Sequence, residues 1–78
     1  MKTVDEMMRE AFDTPRDPRS KEYKEGVRAL LDWRVSGIRV KSPYQMGTVQ
    51  ADAFYSGCDE GRRIADRAGY PHRSKLIA

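Results

Sequence analysis

Four prolines set the outer limits of regular structure in this 78-residue chain. Proline has no amide donor and disfavours helical geometry in the residue before it, so a helix does not run through one undisturbed. Pro15 and Pro18 lie in "DTPRDPRS", Pro43 in "KSPYQMG" and Pro71 in "GYPHR". Each of the three intervals they leave opens with a capping signal. Thr3 followed by Glu6 forms a capping box that predicts a helix over about 4–12, with Val4, Met7, Met8 and Ala11 on one side. Ser20 caps a second helix over about 21–34. Tyr23, Gly26, Val27, Leu30, Leu31 and Trp33 share one arc there, opposite Lys21, Lys24, Glu25, Arg28 and Asp32. Thr48 caps a third over about 49–68, which ends where Gly69 supplies a left-handed residue and Pro71 forbids continuation.

Between the second and third helices, "GIRVKSPYQMG" alternates Ile38 and Val40 with Arg39 and Lys41 until Pro43 stops any strand. That pattern predicts an extended connector. The expected fold class is therefore all-α: a small two-helix hairpin over 20–70. A short N-terminal helix and a proline-containing linker precede it over 1–19, and a loose tail follows over 71–78.

Within the third helix two glycines lie four positions apart, Gly57 and Gly61. Each weakens a helix by about 0.5–1 kcal/mol relative to alanine, and a chain this short has a margin of only about 3–5 kcal/mol. On a helical wheel both fall within the apolar arc with Ala53, Phe54, Ile64, Ala65 and Ala68, while Asp52, Asp59, Arg63 and Arg67 lie opposite. Gly26 occupies the matching face of the second helix. Close backbone approach of two crossing helices offsets the propensity cost through denser packing, so the helices are expected to cross at Gly26 and Gly57/Gly61. A faint two-fold echo supports this: "EYKEGVRALLD" and "DAFYSGCDEGR" each set an aromatic residue shortly before a helical glycine.

These residues resemble the ribosome modulation factor family, and in particular its looser phage- and plasmid-borne relatives. The likeness covers about residues 20–63. It rests on Tyr23 and Gly26 in the first helix of the pair, the connector Ser42, Pro43 and Tyr44, and Phe54 three residues before Gly57 in the second. The resemblance implies a two-helix hairpin and, for the family's best-known member, binding to RNA of the small ribosomal subunit near the messenger-docking site. That binding silences translation.

The chain carries 15 Lys and Arg against 12 Asp and Glu, a net charge of +3, which favours acidic partners without marking a highly basic tail. Arg34, Arg39 and Lys41 flank the connector beside Tyr44. Arg62, Arg63 and Arg67, followed by Arg73 and Lys75, form a second basic group. Basic side chains next to an aromatic suit RNA, since phosphates attract the charges and unstacked bases stack on the ring. The competing reading has Tyr44 packed on the hairpin and the arginines merely solvated.

Catalysis finds no support. His72 is the only histidine and lies beyond Pro71, "GCDEGRR" lacks the context of a phosphate loop, and Asp52, Asp59 and Asp66 read as an ion-paired helix face with Arg63 four positions after Asp59. Cys58, the only cysteine, reads as a small core residue, and no metal or cofactor is expected. "MKTVDEMMREAF" fits neither a signal peptide nor a membrane span, so a cytoplasmic setting is expected. Two functions remain: a non-enzymatic modulator that binds the small ribosomal subunit or other structured RNA, and a phage-encoded accessory protein that inhibits a host protein.

Overall fold

The structure, a computed structural model, describes residues 1–73. It consists of α1 (Val4–Phe12), α2 (Lys21–Ser36) and α3 (Val49–Ala68), and no strand forms among the described residues. The expected all-α architecture, a short helix followed by a two-helix pair, is what the chain adopts. All three N-caps act as the sequence predicts. The Thr3 hydroxyl accepts from the Glu6 amide while the Glu6 carboxylate accepts from the Thr3 amide, Ser20 accepts from the Tyr23 amide, and Thr48 accepts from the Ala51 amide. The second helix runs two residues past its expected end, because Gly37 at φ 75° closes it. The Gly37 amide reaches the Trp33 carbonyl and the Ile38 amide reaches that of Asp32.

The two long helices meet at their glycines. A Cβ added to Gly26 would stand 1.9 Å from the Phe54 carbonyl oxygen, and one added to Gly57 would stand 2.0 Å from that of Tyr23. Gly61 lies next along the seam, against Leu30 and the Val27 carbonyl. Contacts progress in step along both helices: Gly57 faces Tyr23 and Val27, Gly61 faces Val27 and Leu30, and Asp66 reaches Arg34. Both helices therefore cross with the same chain sense, and the connector carries the chain back to the starting end. On its return, Val40 and Tyr44 pack on the cluster of Leu30, Phe54 and Cys58, and the Tyr44 hydroxyl donates to Glu25, near the start of α2.

On the other face of the pair, α1 closes a second cluster. Met7, 1% exposed, packs with Tyr23, Val27, Leu31, Ile64 and Ala65. Burying a side chain of that size stabilises by about 1.5–3 kcal/mol. Ion pairing of Asp5 with Arg28 at 2.8 Å and a hydrogen bond from the Tyr70 hydroxyl to the Lys2 carbonyl fasten α1. The proline linker adds an inward anchor: Arg16 forks onto both Glu60 oxygens at 2.9 and 3.0 Å and donates to the Ala11 carbonyl, while the Tyr23 hydroxyl donates to Glu60 at 2.6 Å. Arg16 and the Tyr23 hydroxyl together hold the Glu60 carboxyl down at about 2. The molecule is flat, 38 × 34 × 15 Å, with the α2–α3 pair lying between α1 and the connector. Among the described residues, no helix is long and apolar enough to cross a membrane.

Candidate nucleic-acid interface

The residues that sequence reasoning groups as one binding set are divided by the fold. Arg34 is corrected first. It lies on the apolar arc of α2, one helical turn past Leu30, and is 3% exposed. Its guanidinium donates to Asp66 at 2.5 Å, to the Tyr70 carbonyl at 3.0 Å and to the Pro71 carbonyl at 3.1 Å. All three acceptors lie at or just beyond the end of α3, so Arg34 is a fastening inside the protein and presents no charge to a ligand. The guanidinium in turn lowers the carboxyl of Asp66 below its ordinary range.

Tyr44 is half-buried. Its ring meets Phe54 edge to face at 6.2 Å between centroids, and its hydroxyl binds the Glu25 carboxylate, which pushes the phenol up to about 12. Of its two readings, the geometry favours packing on the pair over a free stacking surface. The acidic stripe of α3 is also rearranged. Asp59 pairs with Arg62, three positions on, at 2.5 Å, and not with Arg63, while Asp66 is taken by Arg34. Cys58 is buried as expected, and burial raises its thiol to about 11.

Arg63 and Arg67, one turn apart on α3, are exposed on the flank that faces α1. Arg67 borders a shallow cleft of about 230 Å³ between Met7, Glu10 and Ala11 of α1 and Ile64 and Ala68 of α3. The connector covers the opposite flank, where Phe54 and Cys58 lie. Arg63 and Arg67 and the cations of the connector therefore do not form a single surface.

Arg34 also sets a cation at the end of α2. By holding the Tyr70 and Pro71 carbonyls, it turns the chain after α3 toward the end of α2, where Arg73 lies with its guanidinium 5.5 Å from the centre of the Trp33 ring and beside Gly37. Arg39 follows two residues after Gly37 and Lys41 two after that. Both are exposed, on either side of Val40, which packs inward. No carboxylate pairs with Arg39, Lys41 or Arg73 among the described residues. Exposed Ile38, 57% accessible, lies in the same segment. Lys75, the remaining member of the expected C-terminal basic group, lies outside the described residues, as do positions 74–78 of the expected loose tail.

Arg39 and Lys41 thus stand where the alternation predicts, on the outer side of an extended strip. The anchoring carboxylate Glu60 and its partner Arg16 were not visible to periodicity, since 44 positions separate them. No family model matches the chain, and no curated protein or solved structure does either.

Proposed function

We propose that this protein is a non-enzymatic binder of structured RNA that engages the phosphate backbone with Arg73 at the end of α2 and with Arg39 and Lys41 along the connector that leaves it. The observation that carries the reading is three exposed cations without carboxylate partners, Arg73 held at the end of α2 by a buried arginine and Arg39 and Lys41 on the outer side of the connector that leaves that end. Lys2, Arg16, Arg28, Arg34 and Arg62, by contrast, each bind a carboxylate and are engaged within the fold. Phosphate-directed binding draws on charges of the former kind. The resemblance to ribosome modulation factors names the RNA of the small ribosomal subunit as the ligand to try first, and repression of translation as the outcome.

The test is association with ribosomal RNA measured over a range of salt concentrations, together with sedimentation of the protein with ribosomes through a sucrose gradient. Replacing Arg39 and Lys41 by glutamine should leave the helical signal intact, because both side chains are exposed, and should flatten the slope of log affinity against log salt by about 1.4–1.8, roughly 0.7–0.9 per phosphate contact. An unchanged slope would place the RNA contacts elsewhere. Absence of association at low salt, with one host protein retained instead, would favour the inhibitor of a host protein, for which exposed Met46 and Val49 beside the start of α3 offer apolar contact area.

A further inference from the structure

We infer that Trp33 is a stacking platform for an unpaired base and that the RNA taken by this end is therefore single-stranded at the point of contact. The inference rests on the RNA reading above and narrows its ligand class. Trp33 is half-buried at the last turn of α2: the indole leans on the cluster of Leu30, Phe54 and Cys58 and carries the Arg73 guanidinium over its ring. A planar cation above an indole occupies the position that a nucleobase takes when it stacks there, and base–aromatic stacking is the usual sequence-tolerant contact of single-strand binders.

The surroundings are arranged for exchange of one planar group for the other. At 5.5 Å from the ring centre Arg73 is in loose contact, and it makes no hydrogen bond or ion pair among the described residues, so its side chain can swing aside. The backbone beneath it stays in place, because Arg34 holds the Tyr70 and Pro71 carbonyls from inside. Gly37 presents no side chain beside the ring. Arg39 and Lys41 follow Gly37 on the outer side of the connector as it turns back along the pair, where phosphates on one side of the stacked base would lie, and the displaced Arg73 remains available to the other side. A duplex keeps its bases inside the stack and offers Trp33 nothing to receive.

Trp33 is the only tryptophan, so its emission reports the site directly. The intact protein is titrated with a short fluorescein-labelled oligouridylate, whose bases are unstacked, and with a labelled RNA duplex of equal length. Label anisotropy and Trp33 emission are followed together. The expected result is binding of the single strand with strong quenching of Trp33, and weaker binding of the duplex through phosphates alone without quenching. Trp33→Phe should retain most of the single-strand affinity, while Trp33→Leu, checked for an unchanged helical signal, should lose about 5- to 100-fold for the single strand and leave the duplex unaffected. If Trp33→Leu does not fold, Trp33→Phe and the emission of the native chain still decide the matter. Single-strand binding that raises anisotropy while Trp33 emission stays constant would overturn the stacking inference and leave the RNA reading standing. Constant anisotropy with both RNAs would overturn the two together.

Discussion

Replacing Gly57 by alanine sets two opposite effects against each other, and the geometry decides which is larger. Alanine is the better helix former by about 0.5–1 kcal/mol, so at an exposed position the substitution would stabilise α3. Here the new methyl would stand 2.0 Å from the Tyr23 carbonyl oxygen, 2.9 Å from its carbon and 3.0 Å from the Val27 amide nitrogen. All three are backbone atoms of the opposing helix, so no side chain can rotate away. Relief requires the helices to part by about an ångström, which loosens contacts along the whole seam. Overpacking of this kind costs about 1–3 kcal/mol and the parting adds to it, so the net effect is destabilisation by about 1–3 kcal/mol. For a domain of this length each kcal/mol lowers the melting temperature by about 4–8 °C.

Thermal melts followed by circular dichroism, with urea titrations for the free energy, measure the loss. Gly26→Ala should behave alike, since its methyl would stand 1.9 Å from the Phe54 carbonyl oxygen. The double variant should lose less than the sum, because the separation that admits one methyl makes room for the other. Gly61→Ala should cost less than either, as its nearest neighbours are the Leu30 Cβ at 2.9 Å and the Val27 carbonyl oxygen at 3.0 Å, so a shift of a few tenths of an ångström relieves it. A melting temperature that rises with Gly57→Ala would refute the close crossing of α2 and α3.

Three further outcomes are expected. Arg34→Met should destabilise by about 2 kcal/mol, since the Tyr70 and Pro71 carbonyls lose their donor while exposed Asp66 returns to water, and Arg34→Lys should not restore the loss, because an ammonium cannot reproduce the planar fork; equal urea midpoints for all three proteins would contradict this. The Glu60 carboxyl is held down at about 2 against an ordinary 4.5, so its contribution is fully present above about pH 4.5 and drains away as pH falls toward 2; discounted for solvent screening it amounts to about 2 kcal/mol, and a stability profile for Glu60→Gln as steep as that of the native chain across this window would be the contrary result. Cys58, buried and with its thiol raised to about 11, should react with a thiol reagent at pH 8 only as fast as the protein opens, and urea below the midpoint should speed the labelling; immediate stoichiometric reaction without denaturant would show an accessible thiolate.

The boundaries of the helices were legible because their causes are local. Thr3, Ser20, Thr48 and Gly69 act on amides and carbonyls within a few positions, and the inward face of Gly26, Gly57 and Gly61 follows from the helical period alone. What periodicity does not carry is the fate of a polar residue on an apolar arc. Arg34 reads from sequence as a cation beside the connector, yet the carbonyls that receive it lie at the far end of the next helix. Glu60 reads as one acid in an acidic stripe, while its partners Arg16 and Tyr23 come from distant parts of the chain. Tyr44 was ambiguous for the same reason, since Glu25 and Phe54 become its neighbours only when the connector folds back. The candidate site was accordingly half legible: Arg39 and Lys41 by alternation, Arg73 and Trp33 only once the end of α3 was seen to return to α2.

The shared chain sense of α2 and α3 makes the connector a measuring tape as well as a link. Sixteen residues of α2 advance the chain by about 24 Å, and an extended connector from Gly37 to Thr48 reaches at most about 40 Å in return. Several residues are thus spare, enough for the detour through Val40, the turn at Ser42 and the packing of Tyr44. Removing about four would draw the strap taut; removing six or more would forbid the crossing and leave an antiparallel pair as the nearest accessible arrangement. In that alternative the glycines would no longer face the carbonyls they now admit. Connector length in this chain therefore selects topology, while the glycines select only how closely the chosen topology can close.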